Sequence, residues 1–239
     1  MRATLIVCTM MLLSGCGQGS AERVLFQDSF DADSQGDYVE NVLQLPPPEG
    51  LGFTGHVLPG GHVPLNWTHS DELDLRDPKK GFWVIPPDSG YMEQGGRSHN
   101  SVLFAKTPIP EDVESIDINF RQYRADNDPI MFVFGATEPA WDQGWEFGYM
   151  TQVPDTDSTT TDAYVSGISG DTIVAGAAFQ EEWASHRIQI RGSNLRWTIN
   201  ELVLVDDTIT EPISGYFGIR QKYERGTRYD DFQIILNPR

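Results

Sequence analysis

Short runs in which apolar and polar residues alternate, each closed by Gly, Pro, Asn or Asp, recur from residue 24 to the C-terminus. Alternation with period two belongs to strands, because successive side chains leave opposite faces of an extended backbone, whereas a helix repeats every 3.6 residues. "VLFQDSF" (24–30), "SVLFA" (101–105), "ESIDINFRQY" (114–123) and "PIMFVFG" (129–135) follow this pattern. So do "GWEFGYM" (144–150), "SHRIQIRG" (185–192), "LRWTINELVLV" (195–205), "GYFGIR" (215–220) and "DDFQIIL" (230–236). No stretch beyond residue 22 carries a convincing helical stripe. In 114–123, Ile116, Ile118 and Phe120 share one face, while Asp117, Asn119, Arg121 and Tyr123 share the other. Asn200-Glu201 fits a hairpin turn between two strands. Ten or more short strands separated by turn signals, with no internal repeat and no second-domain boundary, predict an all-β chain. Its expected architecture is one antiparallel two-sheet sandwich over residues 23–239. Residues 45–80 are rich in Pro and Gly with weak periodicity and read as a long irregular segment. The acidic, Thr-rich "PDTDSTTTDA" (154–163) reads as an exposed loop.

The N-terminus carries a different signal. Met1-Arg2 supplies a positive charge, Leu5 to Leu13 an apolar stretch too short to span a bilayer, and Leu13-Ser14-Gly15-Cys16 a small-residue cleavage site ending in Cys. The run resembles the bacterial lipobox. That resemblance implies a signal peptide over 1–15, a lipidated Cys16 with a tether over 16–22, and a protein anchored by lipid in the cell envelope. The other cysteine, Cys8, lies in the apolar stretch. The exported chain then has no partner for a disulfide, no Cys₄ zinc site and no spare Cys nucleophile. Its stability has to come from core burial, which a single domain of this size can supply.

Charge narrows the partners. Thirty-five acidic residues against seventeen basic give a formal net charge of −18. Nucleic acid is excluded as a partner, since binding it needs clustered Lys and Arg to displace counterions. A polyanionic glycan would be repelled unless a local basic patch offsets the field. Neutral glycans or divalent cations fit the overall charge better.

The C-terminal third, "EEWASHRIQIRGSNLRWTINELVLVDDTITEPISGYFGIRQKYERGTRYDDFQIIL", resembles the closing strands of the concanavalin A-like lectin/glucanase superfamily. The Gly-x-x-Gly-x-Arg-Gln run is similar to the YesU-like proteins and jelly-roll domains of bacterial polysaccharide utilisation. Upstream, "GFWVIPPDSGYMEQ" and "HNSVLFAKTPIP" fit more loosely. The resemblance implies a jelly-roll sandwich that handles carbohydrate, with "GYFGIRQ" in the middle of the concave, ligand-facing sheet. Three functions are open: a glycan-binding module, a glycoside hydrolase or polysaccharide lyase, and a non-catalytic adhesion or scaffold module. The first needs only aromatic and polar side chains on one face, which Arg121, Tyr123, Trp141, Trp145, Tyr216 and Arg220 could supply.

Individual residues sharpen these expectations. Phe217 and Ile219 alternate with Tyr216, Gly218 and Arg220, which sends the second set to the outer face. Glu146 alternates with Trp145 and Phe147 and so points away from the side they fill. Phe232 and Ile234 face the core, and Asp230 shares their parity. A structural Ca²⁺ held by Asp230 with Asp28 or Asp31 is the sharper alternative to a carboxylate bonded to backbone N–H groups. No other metal or cofactor is expected. "DELDLRD" (71–77) puts Glu72, Asp74 and Arg76 on one face, but the third acid position is Asp77, which breaks the Glu-x-Asp-x-x-Glu pattern that the resemblance to the superfamily's glucanases would imply. The histidines, His56, His62, His69, His99 and His186, match no zinc spacing; His99, beside Asn100, is the one with a candidate site role. Trp183 and Trp197 are expected in the core. No serine nucleophile elbow or phosphate-binding glycine loop is present.

Overall fold

The computed structural model describes residues 22–40, 60–70, 82–95, 102–123, 130–152, 162–167, 172–174, 182–221 and 227–237. Among these residues seventeen strands run in chain order. They begin with β1 (Arg23–Asp28), β2 (Gln35–Glu40), β3 (Gly60–Pro64), β4 (Trp67–His69), β5 (Phe82–Val84) and β6 (Met92–Gly95). The centre of the chain supplies β7 (Val102–Ala105), β8 (Ser115–Tyr123), β9 (Ile130–Ala136), β10 (Trp145–Gln152), β11 (Asp162–Ser166) and β12 (Thr172–Val174). The last five are β13 (Trp183–Arg191), β14 (Asn194–Ile199), β15 (Leu202–Thr208), β16 (Tyr216–Gln221) and β17 (Arg228–Leu236). Among the described residues the only helical element is a 3₁₀ turn, Ala32–Ser34, capped by the Asp31 side chain.

All strand pairs are antiparallel. One sheet of eight runs β15-β14-β13-β8-β17-β6-β5, with β1 also against β17; a sheet of seven runs β12-β11-β10-β9-β16-β7-β4; β2 and β3 form a two-stranded ribbon. The chain crosses between the large sheets from β4 to β5, β6 to β7, β7 to β8, β8 to β9, β12 to β13, β15 to β16 and β16 to β17. That is the antiparallel two-sheet jelly-roll sandwich expected from the sequence.

The alternation explains why the sheets pack. Ile116, Ile118 and Phe120 of β8 and Ile188, Ile190 and Trp197 of the neighbouring hairpin are buried. They meet Phe132, Phe147 and Phe217 from the seven-stranded sheet. Phe120 and Phe132 lie 5.4 Å apart across the interface, Phe217 and Phe232 5.6 Å, and Tyr149 and Trp197 5.1 Å. Tyr149 donates to Gln122 Oε1 at 2.8 Å, so these two polar side chains meet inside the core. The β14–β15 hairpin turns at Asn200 and Glu201, whose φ angles are 45° and 71°. Positive φ at both central residues is the twist-matched two-residue turn; Asn adopts it readily, whereas Glu does so at a cost of about 1 kcal/mol.

Three expectations are corrected. The irregular segment 45–80 is not irregular over its described part, since β3 and β4 lie within it and β4 pairs with β7. Its period was hidden because β4 has only three residues. Asp230 does not share the inward parity of Phe232. Asp231 sits at φ 50° and the register with β8 shifts between Asp230 and Gln233. This bulge inserts a residue, so Tyr229 is buried while Asp230 points outward to Arg121. Trp197 is fully buried, but Trp183 is only partly so, on the outer face of the eight-stranded sheet.

Candidate functional site

The outer face of the seven-stranded sheet is built by residues that alternate with the core set. On β16, Phe217 and Ile219 enter the core and Tyr216, Gly218 and Arg220 face outward. The strand lies between β9 and β7, in the body of the sheet. Val102, Phe104, Val133 and Ala136 form a second buried apolar cluster on this face, with Tyr216 packed at its margin. Gly218 is required there: a Cβ would come within 2.7 Å of Val102 Cγ1 and 2.8 Å of Phe104 Cδ1.

Arg220 dominates the polar part of the face. Its Nη1 lies 2.8 Å from Glu146 Oε2, and its Nη2 donates to the Trp141 carbonyl. Only 13% of the Arg220 side chain and 28% of Glu146 is exposed, so the pair is held in partial desolvation, where the attraction is stronger than at an open surface. The two residues come from β16 and β10 and meet diagonally across β9. Trp141, in the β9–β10 connection, is 44% exposed. The guanidinium therefore fixes the main chain that carries an exposed indole.

The eight residues expected to form one site are distributed differently. Trp141, Glu146 and Arg220 come together, and Tyr216 lies further along the same strand. Trp145 instead stacks on Phe134 (5.2 Å) and Phe147 (5.7 Å) and donates its Nε1 proton to the Pro212 carbonyl at 2.8 Å, so it anchors a loop to the core. Arg121 and Tyr123 lie on the outer face of the opposite sheet. His99 lies outside the described residues, as do His56, Glu72, Asp74, Asp77 and Cys16.

On the opposite face Arg121 and Tyr123 join Tyr91, Trp183 and Arg228, a grouping the sequence did not indicate. Arg121 packs over the Trp183 ring at 5.0 Å, and Arg228 over Tyr91 and Tyr123 at 4.8 and 5.0 Å. Tyr123 and Tyr91 in turn meet Trp183 at 5.9 and 6.2 Å. Arg121 is also paired with Asp230 at 3.2 Å. Burial, with the Asp231 charge beside it, raises the Asp230 carboxyl above its ordinary range despite Arg121. Asp117 goes the other way. Burial pushes it up, but hydrogen bonds from Arg191, Gln189 and Asn237 more than offset this and hold it below the usual range. The Arg191 contact is 2.8 Å. Only long-range pairing of β8 with β13 and β17 assembles these groups, so no local signal could have found them.

The remaining expected ligands each have other partners. Asp28 accepts from Trp67 Nε1 (2.9 Å), Asn66 Nδ2 (3.2 Å) and the Phe30 amide (2.9 Å). Asp31 accepts from the Asp33 amide and Ser29 Oγ. Among the described residues no group of three or more His, Cys, Asp and Glu could hold a metal ion. His62 bonds the Gly36 carbonyl at 2.9 Å and His186 stacks on Phe120 at 4.7 Å, so both serve the fold. His69 accepts from the Trp83 amide through Nε2 at 3.2 Å, and desolvation lowers its pKa to about 4.

No family model matches the chain, and no curated protein matches it. Similar solved structures include the carbohydrate-binding module CBM66 from Bacillus subtilis, at 10% identity and TM-score 0.45, covering 71% of this chain and 94% of that one. A protein of unknown function with a galectin-like fold from Bacillus subtilis has 11% identity and TM-score 0.46, covering 72% and 91%. Domain 4 of the extracellular arabinanase AbnA from Geobacillus stearothermophilus has 10% identity and TM-score 0.39, covering 72% and 82%.

Proposed function

We propose that the chain is an exported, lipid-anchored glycan-binding protein whose site is the outer face of the seven-stranded sheet around Arg220, Glu146 and Trp141. The supporting observation is the Arg220 clamp, in which one largely desolvated guanidinium joins a carboxylate to the main chain bearing an exposed indole. A sugar ring presents an apolar face edged by hydroxyls. Trp141 offers a flat apolar surface for the first, and the guanidinium and carboxylate offer donors and acceptors for the second. Because contacts within the chain hold the clamp, little ordering entropy remains to be lost on binding.

The test is a glycan array with the soluble domain, followed by calorimetry and product analysis on any hit, for the native chain and for Arg220→Lys. Lysine keeps the charge but cannot hold Glu146 and the Trp141 carbonyl with one planar fork. The variant should fold and lose about tenfold or more in affinity, equivalent to ~1.4 kcal/mol. Trp141→Ala should do the same. Native affinity in both variants would remove the site from this face.

A further inference from the structure

The outer face of the eight-stranded sheet carries a groove of about 770 Å³, on the opposite side of the sandwich from Arg220. Its floor is set by register. Arg121 pairs with Ser185, Arg187 with Asn119 and Thr198, and Gln189 with Arg196. Each step from Arg121 to Arg187 to Arg196 therefore moves one strand across and two residues along. With strands about 4.8 Å apart and about 6.7 Å per two residues, the three arginines stand on one oblique line at Cα intervals of about 8 Å. Between them lie neutral hydrogen-bonding side chains, Asn119, Ser185, Gln189, Thr198 and Asn200.

Each arginine on this line has an acid beside it, deeper than the arginine at Asp117 and Asp230 but equally or more exposed at Asp206 and Asp231. Asp117, 6% exposed, lies 3.5 Å from Arg187, whose side chain is 52% exposed. Asp230, 18% exposed, backs Arg121 at 43%. Arg196 is 49% exposed, with Asp206 at 3.9 Å. Each guanidinium has five N–H donors, and among the described residues each spends at most one on a hydrogen bond. Lining the groove are three arginines against two acids, Glu201 and Asp231, in a chain of net charge −18. Asp117, Asp230 and Asp206 also stand beside these arginines, so an anionic ligand would be held by the unspent guanidinium donors rather than by a net positive field. A single small anion would need convergent donors, whereas spaced donors on a line suit an extended chain with repeating charge.

We propose that this groove is a second binding face, which takes an acidic oligosaccharide lengthwise, its carboxylates on Arg121, Arg187 and Arg196 and its hydroxyls on the intervening neutral side chains. Arg121, at one end of the line, is held against the Trp183 ring. The site is independent of the Arg220 face.

The test measures binding of a uronate oligosaccharide to the soluble domain by calorimetry at low and at moderate salt. Its methyl ester and a poly-glutamate of similar length serve as comparisons. The uronate should bind, weaken as salt rises, and lose at least tenfold in affinity to Arg187→Gln/Arg196→Gln, whose exposed positions leave the fold intact by circular dichroism. Arg220→Lys should leave this binding unchanged. No uronate binding, or equal binding of the ester, would overturn the proposal. Equal binding of poly-glutamate would overturn the carbohydrate assignment, and an unaffected double variant the placement in this groove.

Discussion

His69 gives the sharpest quantitative expectation. It lies on β4, with the same parity as the buried Trp67, and its Nε2 accepts the Trp83 backbone proton from the other sheet. An imidazolium there would lose that acceptor and its hydration together. The folded-state pKa is accordingly about 4, against 6.5 for an ordinary histidine. Since the folded value is the lower one, the unfolded chain binds the extra proton between these limits. Stability is complete above pH 6.5 and is lost as pH falls toward 4. At about 1.36 kcal/mol per pH unit, the loss would reach ~3 kcal/mol below pH 4 and ~2 kcal/mol at pH 5. Because His69 as a residue is only partly buried, ~1–2 kcal/mol at pH 5 is the working figure. The assay is urea unfolding at pH 7.5 and at pH 5 for the native chain and for His69→Gln, whose amide oxygen can still accept from Trp83. With a slope near 2 kcal/mol per M for a domain of this size, the native midpoint should fall by about 0.5–1 M more than the variant's. All other titrating groups are shared and cancel in the comparison. Equal midpoint shifts in the two proteins would refute the burial of a neutral His69.

Two further outcomes follow from particular residues. Trp197 meets Phe132 at 5.3 Å and Phe147 at 5.7 Å in the core, so Trp197→Ala should cost about 3–5 kcal/mol in chemical unfolding, whereas Trp183→Ala on the outer face should cost about 1–2 kcal/mol; equal costs would mean that the two positions are equally buried. Cys16→Ser should move the protein from the membrane fraction to the soluble fraction, and unchanged detergent partitioning would rule out lipidation at that residue.

The sequence determined whatever depends on neighbours within a strand. Alternation placed Phe217 and Ile219 inside and Arg220 outside, put Glu146 opposite Trp145, and marked the Asn200-Glu201 turn, because the two-residue period is a property of the backbone itself. The antiparallel sandwich followed from many such strands with short turns between them. Tertiary structure alone decided which outward residues share a face. Arg121 and Arg220 each read as an outward arginine on an apolar strand, yet β8 joins one sheet and β16 the other, so they lie on opposite sides of the molecule. Pairing partners far apart in sequence make that choice, and no local pattern records it. The bulge at Asp230 and Asp231 shows the same limit on a smaller scale. One extra residue reverses the parity, sends Asp230 to Arg121 rather than into the core, and is stabilised only once β8 lies alongside.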